Sequence, residues 1–293
     1  MTLEQLAIFI AVAEREHLSR GAESLGLTPS AASAAIKTLE TTYDVHLFDR
    51  VGRRIELTRA GRVFLEEARH TLAAVNEAKG LLSELGGLRT GHLDIEASQT
   101  IANYWLPNRL MRFCERHPGI TLGFRDGNTA NVVQAVISGR AELGFIEGTV
   151  DEPALAAQPF LADELVIVMA QRAAAIAART TLETLHHLTW VMRERGSGTR
   201  AEFEAALDRH GIDCATLPTA ATLPTNEAVL GAVRGSSCAA ALSKLVVSPF
   251  IAAGELVVLD IPLAPRQFTL LRHKERRLSA AALEFERICR EPA

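Results

Sequence analysis

Apolar residues at Leu3, Leu6, Phe9, Ile10 and Ala13 recur at three- and four-residue intervals, and the pattern stops near His17. Residues 3–15 therefore read as an amphipathic helix. Ser19 is the expected N-cap of a short helix over 20–25, and Gly26 just past Leu25 suits a left-handed turn. Thr28 followed by Pro29 joins a capping hydroxyl to a proline at the first helical position, where the missing N–H costs no bond. A third helix is predicted from Pro29 to about Tyr43, with Ala32, Ile36 and Leu39 on its buried side. Two helices joined by a turn of about four residues make a helix-turn-helix candidate.

The run "HLFDRVGRRIELT" alternates around Gly52 and predicts a β-hairpin. Thr58 then caps a long helix over 58–88, with Phe64, Ala68, Thr71, Val75, Ala78, Leu82 and Leu85 in a stripe of heptad type. A helix of about 30 residues and about 45 Å with such a stripe needs a partner, and a second copy of the chain is the simplest one, a helix packed on its own domain being the competing reading. From Gly91 onward strands and helices alternate. "HLDIEAS", "ITLGFRD" and "LGFIEG" read as strands, with helices over 103–116 and 130–138 between them. A second unit begins near Asp163 with "ELVIVMA" and "LTWVMRE", continues through helices over 199–210 and 227–234, and includes "PTAATL", "CAAALS" and "ELVVLDI". The strand "QFTLLRH" and a helix over 280–289 rejoin the first unit. Alternation of this kind predicts parallel sheets with helices on both faces, and two such lobes enclose a cleft at strand C-terminal ends.

Composition narrows the class without naming a partner. The chain has 293 residues, 48% apolar and 23% charged, with a formal net charge of −4. That describes a folded chain of more than one domain and gives no global cue for nucleic acid. The basic cluster is local: Arg50, Arg53, Arg54, Arg59 and Arg62 surround one carboxylate, Glu56. Cys114, Cys214, Cys238 and Cys289 lie far apart with no C-x-x-C, so they read as reduced thiols and no metal site is expected. The N-terminal run lacks a basic region and a cleavage site, and no apolar stretch reaches membrane-spanning length, so a cytoplasmic protein without membrane contact is expected. No Walker lysine motif, G-x-S-x-G or H-E-x-x-H is present, which argues against an enzyme, and no cofactor is expected.

The run A-x-x-L-x-L-T-x-S-x-x-S-x-x-I-x-x-L-E, here Ala22 to Glu40, and the L-F-x-R element at Leu47 to Arg50 closely resemble the N-terminal domain of LysR-type transcriptional regulators. "ASQTI", "DGNT", "FIEG", "DELVIV" and "RERGSGTR" are similar to a branch that regulates carbon-fixation, sulfur and cysteine genes. Ala34 and Ala35 depart from that pattern, standing where Arg and Gln are frequent, and "GSSCAAALS" replaces a more usual G-x-G-I-A run. The resemblance implies an α+β multi-domain chain: a winged helix-turn-helix over 1–58, a linker and dimerisation helix over 59–90, and a two-lobed α/β effector domain, similar to periplasmic binding proteins, over 91–293. Lobe I would span about 91–162 and 267–293, and lobe II about 163–266. The chain would bind an interrupted inverted repeat in double-stranded promoter DNA as a dimer or, as a dimer of dimers, a homotetramer, with RNA polymerase as a further partner. The rival reading is a cytoplasmic small-molecule-binding protein or enzyme whose N-terminal domain mediates association only.

Within that frame the expected DNA-binding residues are Thr28, Pro29, Ser30, Ser33, Ala34 and Lys37 on the third helix, and Arg50, Arg53 and Arg54 on the wing. Hydroxyls and methyl groups read base edges weakly, whereas guanidinium groups are drawn to phosphate and to a narrow minor groove. Three helix starts carry the expected effector site: Ser98 with Thr100, Asn128 with Thr129, and Ser197, Gly198 and Thr199. Unpaired N–H groups there favour a small anion or carboxylate, although side-chain capping of each helix is the competing reading. Glu147 and Asn226 are expected in the same cleft, and Arg193, Arg195 and Arg200 are candidates for added charge.

Overall fold

Thr2 closes the start of helix α1 (Leu3–Ala13) with a reciprocal cap, accepting from the Gln5 N–H while the Gln5 side chain accepts from the Thr2 N–H. It belongs to the first of two compact units of a computed structural model that describes residues 1–51, 54–85 and 90–291. Helix α2 (Leu18–Glu23) is capped by the His17 ring and not by Ser19, so it begins earlier than the sequence predicted. Gly26 takes φ +69°, and α3 (Pro29–Tyr43) then starts at Thr28 as expected. The hairpin of β1 (Phe48–Val51) and β2 (Arg54–Leu57) pairs Phe48 with Leu57 and Val51 with Arg54.

Thr58 Oγ1 accepts from Gly61 N at 2.9 Å at the start of α4 (Arg59–Leu85). The first turns of its apolar stripe are used at home: Leu65 and Ala68, with the half-buried Phe64 and Leu72, join Leu6, Phe9, Leu39 and Leu57 in one core. Thr71 and Ala78 are exposed.

The second unit holds β3 (Gly91–Ser98), α5 (Gln99–Tyr104), α6 (Pro107–Arg116), β4 (Ile120–Gly127), α7 (Thr129–Ile137), β5 (Leu143–Glu147), β6 (Leu155–Asp163), β7 (Leu165–Ala170), α8 (Ala174–Ala177), β8 (Trp190–Arg193), α9 (Gly198–Asp208), β9 (Thr219–Leu223), α10 (Asn226–Gly235), β10 (Ala240–Ser243), α11 (Lys244–Ala252), β11 (Leu256–Val258), β12 (Arg266–His273) and α12 (Ala280–Arg290). One sheet has the order β4-β3-β5-β12-β6; another has the order β10-β7-β11, and β8 pairs with β9. The expectation of purely parallel sheets is corrected. β3 runs parallel to β4 and β5, but β12 is antiparallel to both β5 and β6, and β7 is antiparallel to β10 and β11. The reversals arise because β6 leaves the first sheet and β12 returns to it beside β5. The helix expected over 103–116 is two helices, since Pro107 restarts the chain after Trp105 leaves the helical region.

Every residue of β7 is buried, and alternation sorts them: Leu165, Ile167 and Met169 pack with Trp190 and Phe203, while Val166 and Val168 pack with Val229 and Leu242. The first sheet is covered in the same way, by Phe113 and Phe285 on one face and by Val132 and Val136 on the other. Cys289 lies in the former cluster, where burial pushes its thiol up to about 12, so it stays protonated at neutral pH.

Arg116 at the end of α6 pairs at 2.9 Å with Glu291 just past α12, and a second ion pair lies within α12 itself. Glu284 accepts from Arg287 at 2.8 and 2.7 Å, and His117 Nε2 stands 3.4 Å away. The Arg287 hydrogen bonds, which outweigh partial burial, hold the Glu284 carboxyl down at about 2. A depressed carboxyl stabilises the fold above its ordinary range and loses that contribution as pH falls through its folded value. Arg287 is exposed and Glu284 half-buried, so solvent screens the pair and the effect is small. The melting-temperature difference between wild type and Glu284→Gln is expected to be constant near neutrality and to shrink from about pH 4.5 to about pH 2. A difference undiminished at the acid end would contradict this.

Candidate functional site

On α3, Ala32, Ile36 and Leu39 point inward, which leaves Thr28, Pro29, Ser30, Ala34 and Lys37 exposed and Ser33 half-buried. Thr28 Oγ1 accepts from Ala31 N at 3.3 Å and lies 3.0 Å from Ser30 Oγ, so the cap and one candidate base-reading hydroxyl form a single unit. Glu40 ties the far end of α3 to the hairpin by accepting from Leu47 N at 2.7 Å and Phe48 N at 3.2 Å. Gly21 is the close-packing point between α1 and α2, where a Cβ would stand 2.7 Å from Val12 Cα. Arg53, and the side chains of Arg50 and Arg54, lie outside the described residues.

The second candidate site sits where parallel strands end. β3, β4 and β5 finish at Ser98, Gly127 and Glu147, a position at which open α/β sheets bind ligands. Helices α9 and α10, which pack on the other sheets, begin opposite. Asn226 is fully buried; its Nδ2 donates to Thr100 Oγ1 at 3.1 Å, its N–H donates to Gln99 Oε1 at 3.1 Å, and Arg193 donates to its Oδ1. Thr100 N donates to Glu147 Oε1 at 3.2 Å. Asn128 Nδ2 donates to Glu194 at 3.2 Å, Ala130 N to Gly196 O at 3.2 Å, and Arg266 Nη1 to Thr199 Oγ1 at 3.1 Å. Burial, then the charge of Glu227 3.4 Å away, pushes the Tyr104 phenol above its ordinary value at the rim.

Capping accounts for only part of the predicted set. Asn128 Oδ1 accepts from Asn131 N at 3.0 Å, and Thr225, not Asn226, caps α10 by accepting from Ala228 N at 3.0 Å. Ser98 and Ser197 precede their helices but make no side-chain cap bond, which corrects the capping alternative for both. Ser98 Oγ and Thr129 Oγ1 are buried atoms with no hydrogen-bond partner among the described residues. Beside Thr129 are Glu147, which is buried, and Gly198, whose absent Cβ would stand 2.5 Å from Thr129 Oγ1 and 2.7 Å from Glu147 O. Only glycine lets α9 approach this closely.

The sequence missed part of the arrangement. Of the candidate charges, Arg193 is buried and pairs with Glu194 at 2.8 Å, Arg195 is exposed, and Arg200 pairs with Glu204 at 2.7 Å. Gln99, Asp163, Ser243 and Arg266 were not anticipated at all. Asp163 and Arg266 stood at element boundaries, and their only signal was opposite charge at the two crossover points.

The sequence matches two family models: "Bacterial regulatory helix-turn-helix protein, lysR family" over residues 3–62 and "LysR substrate binding domain" over residues 86–293. The HTH-type transcriptional regulator YeiE of Escherichia coli is 35% identical over 100% of this chain and 98% of its own. The HTH-type transcriptional regulator CbbR of Rhodospirillum rubrum is 33% identical over 90% of this chain and 87% of its own. Among solved structures, full-length CbnR bound to its target DNA matches with a TM-score of 0.67 over 99% of both chains at 20% identity. The regulatory domain of CcmR from Synechocystis in complex with 2-PG matches with a TM-score of 0.62 and 25% identity, over 69% of this chain and 96% of that one. Both domains and full-length relatives agree: the chain belongs to the LysR family of DNA-binding transcriptional regulators, not to an enzyme family.

Proposed function

We propose that this regulator responds to a small anion held among Ser98, Thr100, Asn128, Thr129, Glu147, Ser197, Gly198, Thr199 and Asn226. The observation that carries the reading is the pair of buried, unpartnered hydroxyls, Ser98 Oγ and Thr129 Oγ1. Buried polar atoms without partners are rare and costly, so a pair at strand ends points to a group that arrives from solvent. The first turns of α7 and α9 supply positive dipole ends, and Arg193, paired with Glu194, and Arg266, paired with Asp163, support them from behind. Glu147 opposes a purely anionic guest, so the fitting ligand has one acceptor-rich end and an O–H or N–H donor for that carboxylate. CcmR, whose structure holds 2-PG, is consistent with that class. A thermal-shift screen over oxyanions, carboxylates and sugar phosphates tests it. The active compound is expected to stabilise wild type but not Thr100→Ala or Thr199→Ala; equal stabilisation of all three contradicts the site.

The N-terminal domain over 1–58 would read an interrupted inverted repeat with the exposed face of α3 and the wing arginines, as a dimer through α4 or a tetramer of two dimers, and engage RNA polymerase at the promoter. The effector domain over 91–293 would transmit closure of its lobes through the helix over 59–90 to half-site spacing. α3 offers Lys37 as its one base among the predicted contacts, so the remaining charge for phosphate must come from the wing. Each phosphate contact contributes about −0.9 to the slope of log affinity against log salt. Replacing Lys37 with alanine is expected to make that slope shallower by about one unit per subunit, checked by anisotropy titrations at several salt concentrations; an unchanged slope removes Lys37 from the interface.

A further inference from the structure

The two strands that cross between the sheets are locked by an ion pair hidden from solvent. Asp163 ends β6 and Arg266 opens β12, directly opposite each other in the antiparallel register, and their side chains are 2% and 0% exposed. Arg266 Nε donates to Asp163 Oδ2 at 2.6 Å, Nη2 lies 2.6 Å from the same oxygen, and Ser243 Oγ donates to Oδ1 at 2.8 Å. A buried pair of this kind is an inefficient stabiliser, because desolvation offsets most of the attraction. The third arm is therefore the informative one: Nη1 reaches α9 and donates to Thr199 Oγ1 at 3.1 Å.

We propose that Arg266 is a positioning residue that fixes the Thr199 hydroxyl as a hydrogen-bond donor and thereby makes the cleft select anions. The proposal rests on the anionic-effector reading of the same cleft. A hydroxyl has one proton and two lone pairs. Arg266 occupies a lone pair of Thr199 Oγ1, and no described residue accepts the proton. That proton is left for a ligand, and the guanidinium behind it, in a dry setting, strengthens the donation. Thr199 lies in the first turn of α9, so its hydroxyl and the free N–H groups of that turn present donors together. Asp163 and Ser243 hold the guanidinium plane, which keeps Arg266 from turning to face the ligand itself. A ligand group that can only donate finds at this point just the second lone pair of a hydroxyl already facing a guanidinium, a weaker partner than the free proton offers an acceptor.

The test uses the full chain with inorganic phosphate, sulfate and 2-PG as probes, read by thermal shift and equilibrium titration, with DNA binding in the absence of anion as the check on folding. Thr199→Val leaves the ion pair intact, Arg266→Lys keeps the charge without the forked geometry, and the double variant Asp163→Asn with Arg266→Gln removes both charges together. The best-binding anion is expected to lose roughly tenfold or more in affinity in Thr199→Val and in the double variant, with part of the loss restored in Arg266→Lys. Wild-type anion affinity in Thr199→Val or in a folded double variant overturns the proposal alone. Failure of every anion to shift the wild type, with a cationic or neutral compound shifting it instead, overturns the anionic reading and this proposal with it.

Discussion

Gly198→Ala is expected to abolish the response to the effector while leaving basal DNA binding in place. The new Cβ would stand 2.5 Å from Thr129 Oγ1 and 2.7 Å from the Glu147 carbonyl oxygen. A threonine can rotate away, but a backbone oxygen at the end of a fully buried strand cannot, so α9 must retreat from β5. Alanine gains up to about 1 kcal/mol of helix propensity over glycine, and less at a first helical position. Overpacking of this severity costs about 1–3 kcal/mol, so the clash decides. The retreat also separates Thr199 and Gly196 from their partners across the cleft. Thermal shift with the active compound and anisotropy on operator DNA check the two halves; a variant with the wild-type ligand shift contradicts the geometry.

Gly21→Ala is the matching experiment in the other unit. A Cβ there would stand 2.6 Å from Val12 Cγ2, 2.7 Å from Val12 Cα and 2.9 Å from Val12 N. Two of those atoms are backbone, so α1 and α2 must move apart, and the helix-turn-helix loses the support that Val12 and Ala22 give to Ala32 and Ile36. DNA affinity is expected to fall more than tenfold, the consequence of about 1–3 kcal/mol of overpacking in a small core, while stabilisation by the effector stays at its wild-type value. Unaltered DNA affinity in this variant would contradict the packing argument, and loss of the effector shift would contradict a defect confined to the core around Val12 and Ala22.

Legibility in the sequence followed how local each signal was. Thr28, Pro29 and Gly26 fixed the start of α3 because capping, proline and positive φ act within a few residues. Ser19 misled because the His17 ring competes for the same helix start and wins. β6 was invisible: it is an edge strand with an interrupted burial pattern, and Pro159 sits at a bulge opposite Thr269, a position where the ladder does not need its N–H. α11 was hidden by Pro249, which falls inside it. Of the heptad-like stripe expected on α4, Phe64 and Ala68 serve the core of their own unit, a tertiary choice that periodicity does not reveal, and the side chains of Leu82 and Leu85 lie outside the described residues.

In the cleft, the predicted hydroxyls were legible because helix starts after strands are local patterns. Their partners were not. Arg266 and Asp163 are separated by 103 residues and meet only because two crossover strands pair. Ser98 and Thr129 resemble ordinary capping residues in sequence, and only their unpartnered, buried oxygens separate them from that role.

The most direct test of the account is footprinting of the full chain on the DNA upstream of its own gene at moderate salt, with and without the anion that gives the largest thermal shift. The expected result is a protected inverted repeat whose half-site spacing or bending changes when the anion is added. Absence of a specific footprint, or an identical footprint with the cleft saturated, would contradict the claim that a ligand held at Ser98, Thr129 and Thr199 controls how α3 meets DNA.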